Sequence, residues 1–270
     1  MTKTTQQFKG LWAIVLGGSS GFGFASVEKL ANHGMNIAVL YRETAQAENS
    51  LSIDIKKIAA NNSVQILPYN INALEEEGRT KFLLQFSKSV GKKNCVRLLL
   101  HSIARGNLKP LVDERKNTSD ILSAGDIQLT TYAMSTSLID WTRLLLHEDL
   151  FYKDARIVGL TSEGAHTYWK GYAAVSIAKA SLESLVTYMA VEFGKYGIKT
   201  NLIQAGITET PSLKRIPESK KLIELATSIN PLGRITTPAD VANVIYLLCS
   251  DEASWINGSL IHVDGGEHCR

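Results

Sequence analysis

Short apolar runs alternate with longer amphipathic segments along almost the whole chain. Most runs lack the polar alternation of a half-exposed strand, which is typical of strands buried on both faces of a sheet. The predicted strands are 11–16, 36–41, 64–69, 96–101, 156–161, 199–204 and 259–263. The predicted helices between them are about 22–33, 45–60, 74–90, 120–149, 172–194 and 238–250. This alternation predicts an α/β fold, a doubly wound parallel sheet of about seven strands with helices on both faces.

The domain organisation follows from length and continuity. The 270 residues suit one larger domain spanning 1–270, and no repeat, low-complexity segment or linker interrupts it. The segment 208–232 departs from the alternation, because it has weak periodicity and contains three of the six prolines. Since it follows a strand, we predict a lid or substrate loop inserted there.

Charge and cysteine content exclude several classes of partner. The formal net charge is +3 and the basic residues are scattered, which argues against nucleic acid. The three cysteines have no CxxC spacing, so the sequence predicts no disulfide framework and no metal site. No stretch approaches the about 20 apolar residues of a membrane span. We therefore expect a cytoplasmic protein with no membrane partner.

A glycine-rich turn, Gly17-Gly-Ser-Ser-Gly21-Phe-Gly23, follows the first predicted strand and opens the first predicted helix. Glycines let backbone N–H groups approach a pyrophosphate, and a helix N-terminus adds partial positive charge. Ordinary tight turns also use glycine, but the position after the first strand favours dinucleotide binding. The predicted cofactor residues here are Gly17, Ser19, Ser20, Gly21, Phe22 and Gly23.

Tyr172 and Lys179 lie seven residues apart in one predicted helix. Seven steps of about 100° come within about 20° of two full turns, so both side chains leave the same helix face. They are separated by about 10 Å along the axis, which suits two groups that hold one ligand between them. Alone, such a pair is more often two polar side chains at a helix edge, and the other motifs of the chain change that balance.

These motifs together resemble the short-chain dehydrogenase/reductase family, from about residue 8 to Gly266. The resemblance rests on the Gly-x3-Gly-x-Gly spacing, the Tyr–Lys pair and the closing run Ile261-His-Val-Asp264-Gly-Gly266. The resemblance implies a Rossmann-type fold and a nicotinamide dinucleotide cofactor. It also implies that Ile71, His101, Ser102, Ile103, Lys179, Gly206, Thr208 and Thr210 surround the cofactor.

The Tyr–Lys spacing separates branches of that family. Ordinary members have Tyr-x3-Lys, but Val175 stands at that tyrosine position here. Tyr-x6-Lys is similar to the enoyl-acyl-carrier-protein reductases, as is His101-Ser102-Ile103, where most short-chain reductases have Asn-Asn-Ala-Gly. The run 131–134 also lacks the Asn with which many ketone reductases hold a proton-relay water.

Further residues are similar to the NADPH-dependent enoyl reductase branch. Ser162, 17 residues before Lys179, occupies the usual family serine position. Arg42 follows the second strand and could bind a 2′-phosphate, which favours NADPH over NADH, although Glu43 could neutralise it. Asn70 ends the third strand, where relatives contact the adenine amino group; its side-chain oxygen could accept that hydrogen bond, and a turn-forming role is the alternative.

The resemblance implies reduction of the trans-2 double bond of an enoyl thioester, carried on acyl carrier protein or CoA, in the fatty-acid elongation cycle. Tyr172, Lys179 and Ser162 would be catalytic, and the charge of Lys179 would make nearby donors more acidic. The first alternative is a carbonyl or 3-oxoacyl reductase of the same fold, and the second is a non-catalytic nucleotide-binding protein. Relatives are commonly tetramers, so we expect a homotetramer.

Overall fold

The structure is a computed structural model. Its seven strands form one sheet in which every pairing is parallel. Residues 6–113, 120–216 and 218–270 are described. The order β3-β2-β1-β4-β5-β6-β7 confirms the predicted doubly wound sheet. The strands are β1 Trp12–Leu16, β2 Asn36–Tyr41, β3 Ile66–Asn70, β4 Val96–His101, β5 Phe151–Ser162, β6 Ile198–Ala205 and β7 Leu260–Val263.

Helices follow the strands on both faces of the sheet. They are α1 Gly21–Ala31, α2 Ala45–Asn62, α3 Glu76–Val90, α4 Ala124–Thr131, α5 Ser137–His147, α6 Ala173–Glu192, α7 Ser219–Ile229 and α8 Pro238–Cys249. The helix predicted over 120–149 is continuous from Ala124 to His147, but a π-helical turn, Tyr132–Thr136, lies between α4 and α5. Helix α7 was not predicted; Pro211 and Pro231 lie outside it, where they do not interrupt its hydrogen bonds.

The two faces of β1 show how the core is divided. Trp12 and Ile14 point to the side covered by α3, α5 and α6, whereas Ala13 and Val15 point to the side covered by α1, α2 and α8. All of them are buried, as expected for a strand with helices on both faces. Fully burying side chains such as Ile14 and Val15 contributes about 1.5–3 kcal/mol each, so the centre of the sheet is a stable support for the site.

The sheet order reverses between β1 and β4, which creates a crevice at their carboxyl ends. Leu16, the last residue of β1, pairs with Leu40 on one side and with His101 on the other. The glycine turn, the end of β2 and the end of β4 therefore meet at one edge of the sheet.

A buried ionic cluster lies at the opposite edge of the sheet. Arg97 on β4 and Arg156 on β5 are almost fully buried and both bond to Asp154, with N–O distances of 2.6 Å. Their Nε groups donate to the carbonyl oxygens of Cys249 and Leu248, at the C-terminus of α8. The cluster thus joins two central strands to the last helix.

Helix α6 is long and apolar enough, by length and composition, to cross a membrane. It packs against β5, β6 and α4 in the fold. A core helix satisfies the same criterion, so its hydropathy carries no conclusion about a membrane.

Candidate active site

The glycine turn presses directly on the end of β4. Gly17 has φ +83°, and a Cβ there would lie 2.5 Å from the Ser102 carbonyl oxygen. A Cβ on Gly23 would lie 2.2 Å from the Gly17 carbonyl oxygen, so only glycine fits both positions. Ser20, the N-cap of α1, makes no side-chain capping bond, which leaves the first amides of α1 for a ligand. This cradle fits the pyrophosphate of a dinucleotide.

The remaining residues of the turn face two neighbouring segments. Ser19 Oγ donates a 2.9 Å hydrogen bond to Glu43 Oε1. Thr210 Cγ2 lies 3.4 Å from the position that a Cβ would take on Gly21. Phe22 packs on the core formed with α1 and α8. The loop after β6 therefore reaches across the crevice to the glycine turn.

The end of β2 is fixed by Asn70. Its Oδ1 accepts from Glu43 N at 3.1 Å and its Nδ2 donates to Glu43 O at 3.0 Å. The Asn70 oxygen that we expected to face adenine thus already accepts a hydrogen bond that joins β3 to the loop after β2. The Glu43 carboxylate turns to Ser19, and Arg42 lies exposed at the rim.

At the end of β4, the side chain of His101 points into the fold rather than towards the expected cofactor site. The His101 imidazole is buried, and its Nε2 lies 2.9 Å from Ser137 Oγ on α5. Burial, followed by the nearby charge of Lys179, lowers the pKa of His101 to about 3, so the ring is neutral. The side chains of Ile71 and Ile103 also pack into the core. Because the His101 ring is enclosed and bonded to α5, a contact of His101 with a cofactor would come from its main chain.

Tyr172 is the N-cap of α6, with φ −96° and ψ 1°. The predicted helix start at residue 172 is therefore early, although the Tyr172 carbonyl oxygen accepts from Ser176 N at 2.9 Å. Burial raises the pKa of the Tyr172 phenol, and a hydrogen bond with Ser162 opposes this. Tyr172 is thus a neutral hydrogen-bond donor beside Ser162.

Lys179 lies buried inside α6, and its Nζ donates a 2.6 Å hydrogen bond to the carbonyl oxygen of Leu160 on β5. Burial lowers the pKa of Lys179 to about 8, and the charge of Glu183 opposes this. The ammonium form therefore prevails at neutral pH, with two further N–H donors for a ligand.

Val175 occupies the position of the usual family tyrosine. It is buried with Ala133, Met134 and Ala178, and the Tyr172 ring packs against this small cluster. A phenol at residue 175 would therefore have to displace this apolar cluster. The structure leaves Tyr172 as the phenol next to Ser162.

The loop after β6 carries the last predicted cofactor residues. Thr208 Oγ1 donates to the Gly206 carbonyl oxygen at 2.9 Å, and Thr208 forms an isolated parallel bridge with Thr236. Thr210 Oγ1 accepts from Leu213 N at 3.2 Å, which leaves its hydroxyl proton for another acceptor. The loop after β6 is thus held at the crevice by hydrogen bonds within the loop and by its bridge to Thr236.

Sequence reasoning missed three residues behind the site. The Glu183 carboxylate contacts Thr161 and His166, on either side of Ser162. The signal for Glu183 was its position four residues after Lys179, one turn along the same helix face. Its partners could not be identified, because they belong to another element.

This fold and these side chains define an oxidoreductase of the short-chain dehydrogenase/reductase class. A family model described as "Enoyl-(Acyl carrier protein) reductase" matches residues 17–268, and the chain belongs to this family. The resemblance inferred from the glycine turn and the Tyr-x6-Lys pair is therefore confirmed. A nicotinamide nucleotide is the cofactor expected for such an enzyme.

Individual relatives include proteins of more than one activity. The chain is 29% identical to a probable 2,4-dienoyl-CoA reductase of Bacillus subtilis, over 94% of this chain and 95% of that protein. A solved enoyl-[acyl-carrier-protein] reductase (NADH) of Aquifex aeolicus is 26% identical, with TM-score 0.81 and 98% of both chains covered. The Bacillus cereus enoyl-acyl carrier protein reductase, solved with NADP+ and indole naphthyridinone, is 26% identical, with TM-score 0.82 and 98% of both chains covered.

Proposed function

We propose that this chain reduces the trans-2 double bond of an enoyl thioester with NADPH, in fatty-acid synthesis. The observation that carries the proposal is the position of the phenol. Tyr172 lies at the N-cap of α6, seven residues before Lys179, while Val175 fills the ordinary tyrosine position with a buried apolar side chain. The likeness to two solved enoyl reductases supports the same conclusion.

The difficult part of this reaction is negative charge on the thioester oxygen. NADPH, when bound, supplies a hydride to the β-carbon. Tyr172, kept neutral by burial, donates a hydrogen bond to the oxygen on which an enolate develops. Removing one such donor typically costs about 2.7–4 kcal/mol of transition-state stabilisation.

Lys179 and Ser162 position the reactants in this proposal. The Lys179 ammonium group holds the hydroxyls of the nicotinamide ribose, since its Nζ has one described protein acceptor, Leu160 O. Ser162 contacts Tyr172 and its Oγ accepts from Gly164 N at 3.2 Å, so it orients the phenol.

Arg42 supports NADPH as the preferred cofactor. It is exposed at the rim of the adenosine end, and Glu43 turns away to bond Ser19. One relative was solved with NADP+, whereas another is named as NADH-dependent. An Arg42→Ala variant should lose kcat/KM with NADPH but retain it with NADH. Equal losses with both cofactors would overturn the preference.

The remaining parts of the proposal concern the environment of the enzyme. We place the acyl chain, on acyl carrier protein or CoA, against the segment 208–232. We also propose a homotetramer, because α6 exposes Tyr188 and Val191. The buried thiols Cys95 and Cys249 are free, which suits a reducing cytoplasm.

A second candidate is a 2,4-dienoyl-CoA reductase. It is favoured by the full-length similarity to the Bacillus subtilis protein of that name. Turnover of 2,4-hexadienoyl-CoA that exceeds turnover of crotonyl thioesters would support this alternative over the first.

The phenol provides the direct test of the mechanism. Tyr172→Phe should lower kcat on crotonyl thioesters by at least about 100-fold, as expected for loss of an oxyanion donor. Tyr168→Phe is the matched control, because Tyr168 is 84% exposed. Unchanged kcat in the Tyr172 variant would overturn the proposed role.

A further inference from the structure

Glu183 bridges both sides of the turn that carries Ser162. Thr161 Oγ1 donates to Glu183 Oε1 at 2.6 Å, and His166 Nε2 lies 2.7 Å from Glu183 Oε2. Thr161 directly precedes Ser162, and His166 follows it by four residues. One carboxylate on α6 thus fixes both ends of a short turn after β5.

The burial of the Glu183 carboxylate would be energetically unfavourable without a nearby positive charge. Its side chain is 17% exposed, whereas that of His166 is 60% exposed. A carboxylate so far from water needs hydrogen bonds and a compensating charge. Thr161 supplies a hydrogen bond, and Lys179 supplies a positive charge one helical turn away.

The negative charge of Glu183 also stabilises the ammonium form of Lys179. Within the part of the chain that the structure describes, the groups that interact electrostatically with Lys179 are Glu183 on α6 and His101 on β4. His101 and Tyr172 are neutral, and the turn after β5 places His166 against Glu183 itself. On the side of the π-helical turn, α6 packs Val175 and Ala178 against Ala133 and Met134, and Ser135 Oγ donates to Ser181 Oγ at 3.4 Å.

We infer that Glu183 is a positioning residue for the proposed reduction. Its carboxylate fixes the turn that carries Ser162, and its charge keeps Lys179 in the ammonium form that binds the cofactor. The inference rests on the proposed role of Lys179, and it separates two contributions of one side chain. The hydrogen bonds set the position of Ser162, and the charge sets the proton occupancy of Lys179.

Two variants separate these contributions. Glu183→Gln removes the charge, while its amide oxygen can still accept from Thr161. Thr161→Val removes that hydrogen bond and leaves the charge. The readout is the Kd of NADPH from pH 6 to 10, measured by nicotinamide fluorescence, together with kcat on crotonyl thioesters. Binding needs no acyl substrate, so it is independent of the enoyl reaction.

In the wild type, NADPH binding should weaken as Lys179 loses its proton near pH 8. In Glu183→Gln that midpoint should fall by about one pH unit, because the favourable charge is gone. Thr161→Val should keep the wild-type midpoint but lose kcat several-fold. Glu183→Asp, which retains the charge, should restore the midpoint.

An unchanged midpoint in Glu183→Gln would overturn the inference alone. So would an equal shift in the Asp and Gln variants, since shape rather than charge would then be responsible. If Glu183→Gln fails to fold, Glu183→Ala takes its place as the variant without the charge: a lowered midpoint supports the inference and an unchanged midpoint overturns it. A wild-type protein that binds neither NADPH nor NADH would overturn the proposed function, and this inference with it.

Discussion

Replacing Lys179 with Met should stabilise the folded protein at neutral pH while it abolishes cofactor binding. Lys179 is only 6% exposed, and burial lowers its pKa from 10.5 to about 8. That difference corresponds to about 3 kcal/mol of unfavourable free energy at pH 7. Met has a similar length without the charge. Leaving the Leu160 carbonyl oxygen unpaired costs about 1–2 kcal/mol, so the net gain should be about 1–2 kcal/mol.

The sign of the pH dependence follows from the two protonation states. Below about pH 8, both the folded and the unfolded chain carry the proton on Lys179, and the penalty is fully present. Between about pH 8 and 10.5 the unfolded chain keeps this proton but the folded chain has lost it, so the wild type gains stability as pH rises. The advantage of Lys179→Met should therefore decrease by about 2.5 kcal/mol from pH 7 to pH 10.

Urea denaturation followed by far-ultraviolet circular dichroism measures this difference directly. Lys214→Met is the control, because the Lys214 side chain is 67% exposed. It should change neither the pH dependence nor NADPH binding. A Lys179→Met advantage that stays constant or grows between pH 7 and 10 would refute the reasoning that burial controls this ammonium group.

Three further substitutions test other parts of the structure. Gly23→Ala should weaken NADPH binding at least about 10-fold and lower the free energy of unfolding in urea by about 1–3 kcal/mol, because the new Cβ would meet the Gly17 carbonyl oxygen. Gly194→Ala is the control, because a Cβ on Gly194 would have no atom within 4 Å. Asp154→Asn should cost about 3–5 kcal/mol of unfolding free energy, because two buried guanidinium groups lose their shared anion. Val175→Tyr should overpack a buried cluster, lose about 1–3 kcal/mol of thermal stability and create no carbonyl reductase activity.

A specific result would contradict each of these three predictions. Unchanged NADPH affinity in Gly23→Ala would mean that the glycine turn does not bind the pyrophosphate. A stability loss below about 1 kcal/mol in Asp154→Asn would mean that the ionic cluster is solvated. Ketone reduction by Val175→Tyr would show that this position faces the crevice.

The sequence was sufficient for the sheet, because the pattern that defines it is local. The predicted β2 and β4 agree with the structure residue for residue. The start of β5 was missed by five residues, because Tyr152, Lys153 and Asp154 interrupt its apolar pattern. The length of a strand whose polar residues are held by an ion cluster cannot be inferred from apolar periodicity.

The site was predictable in composition but not in orientation. The turn from Gly17 to Gly23 opens α1 as predicted, since a strand–glycine–helix pattern is local. The inward rotation of His101 depends on Ser137, and the direction of Glu43 depends on Ser19. Both are contacts between distant parts of the chain, which a single sequence does not specify.

The central claim is that the Tyr172–Lys179 spacing serves reduction of C=C rather than C=O. The most direct measurement compares NADPH oxidation by the purified protein with crotonyl and with acetoacetyl thioesters, on both CoA and acyl carrier protein. We expect NADPH oxidation with the crotonyl substrates and little with the acetoacetyl substrates. Oxidation with acetoacetyl thioesters alone would contradict it.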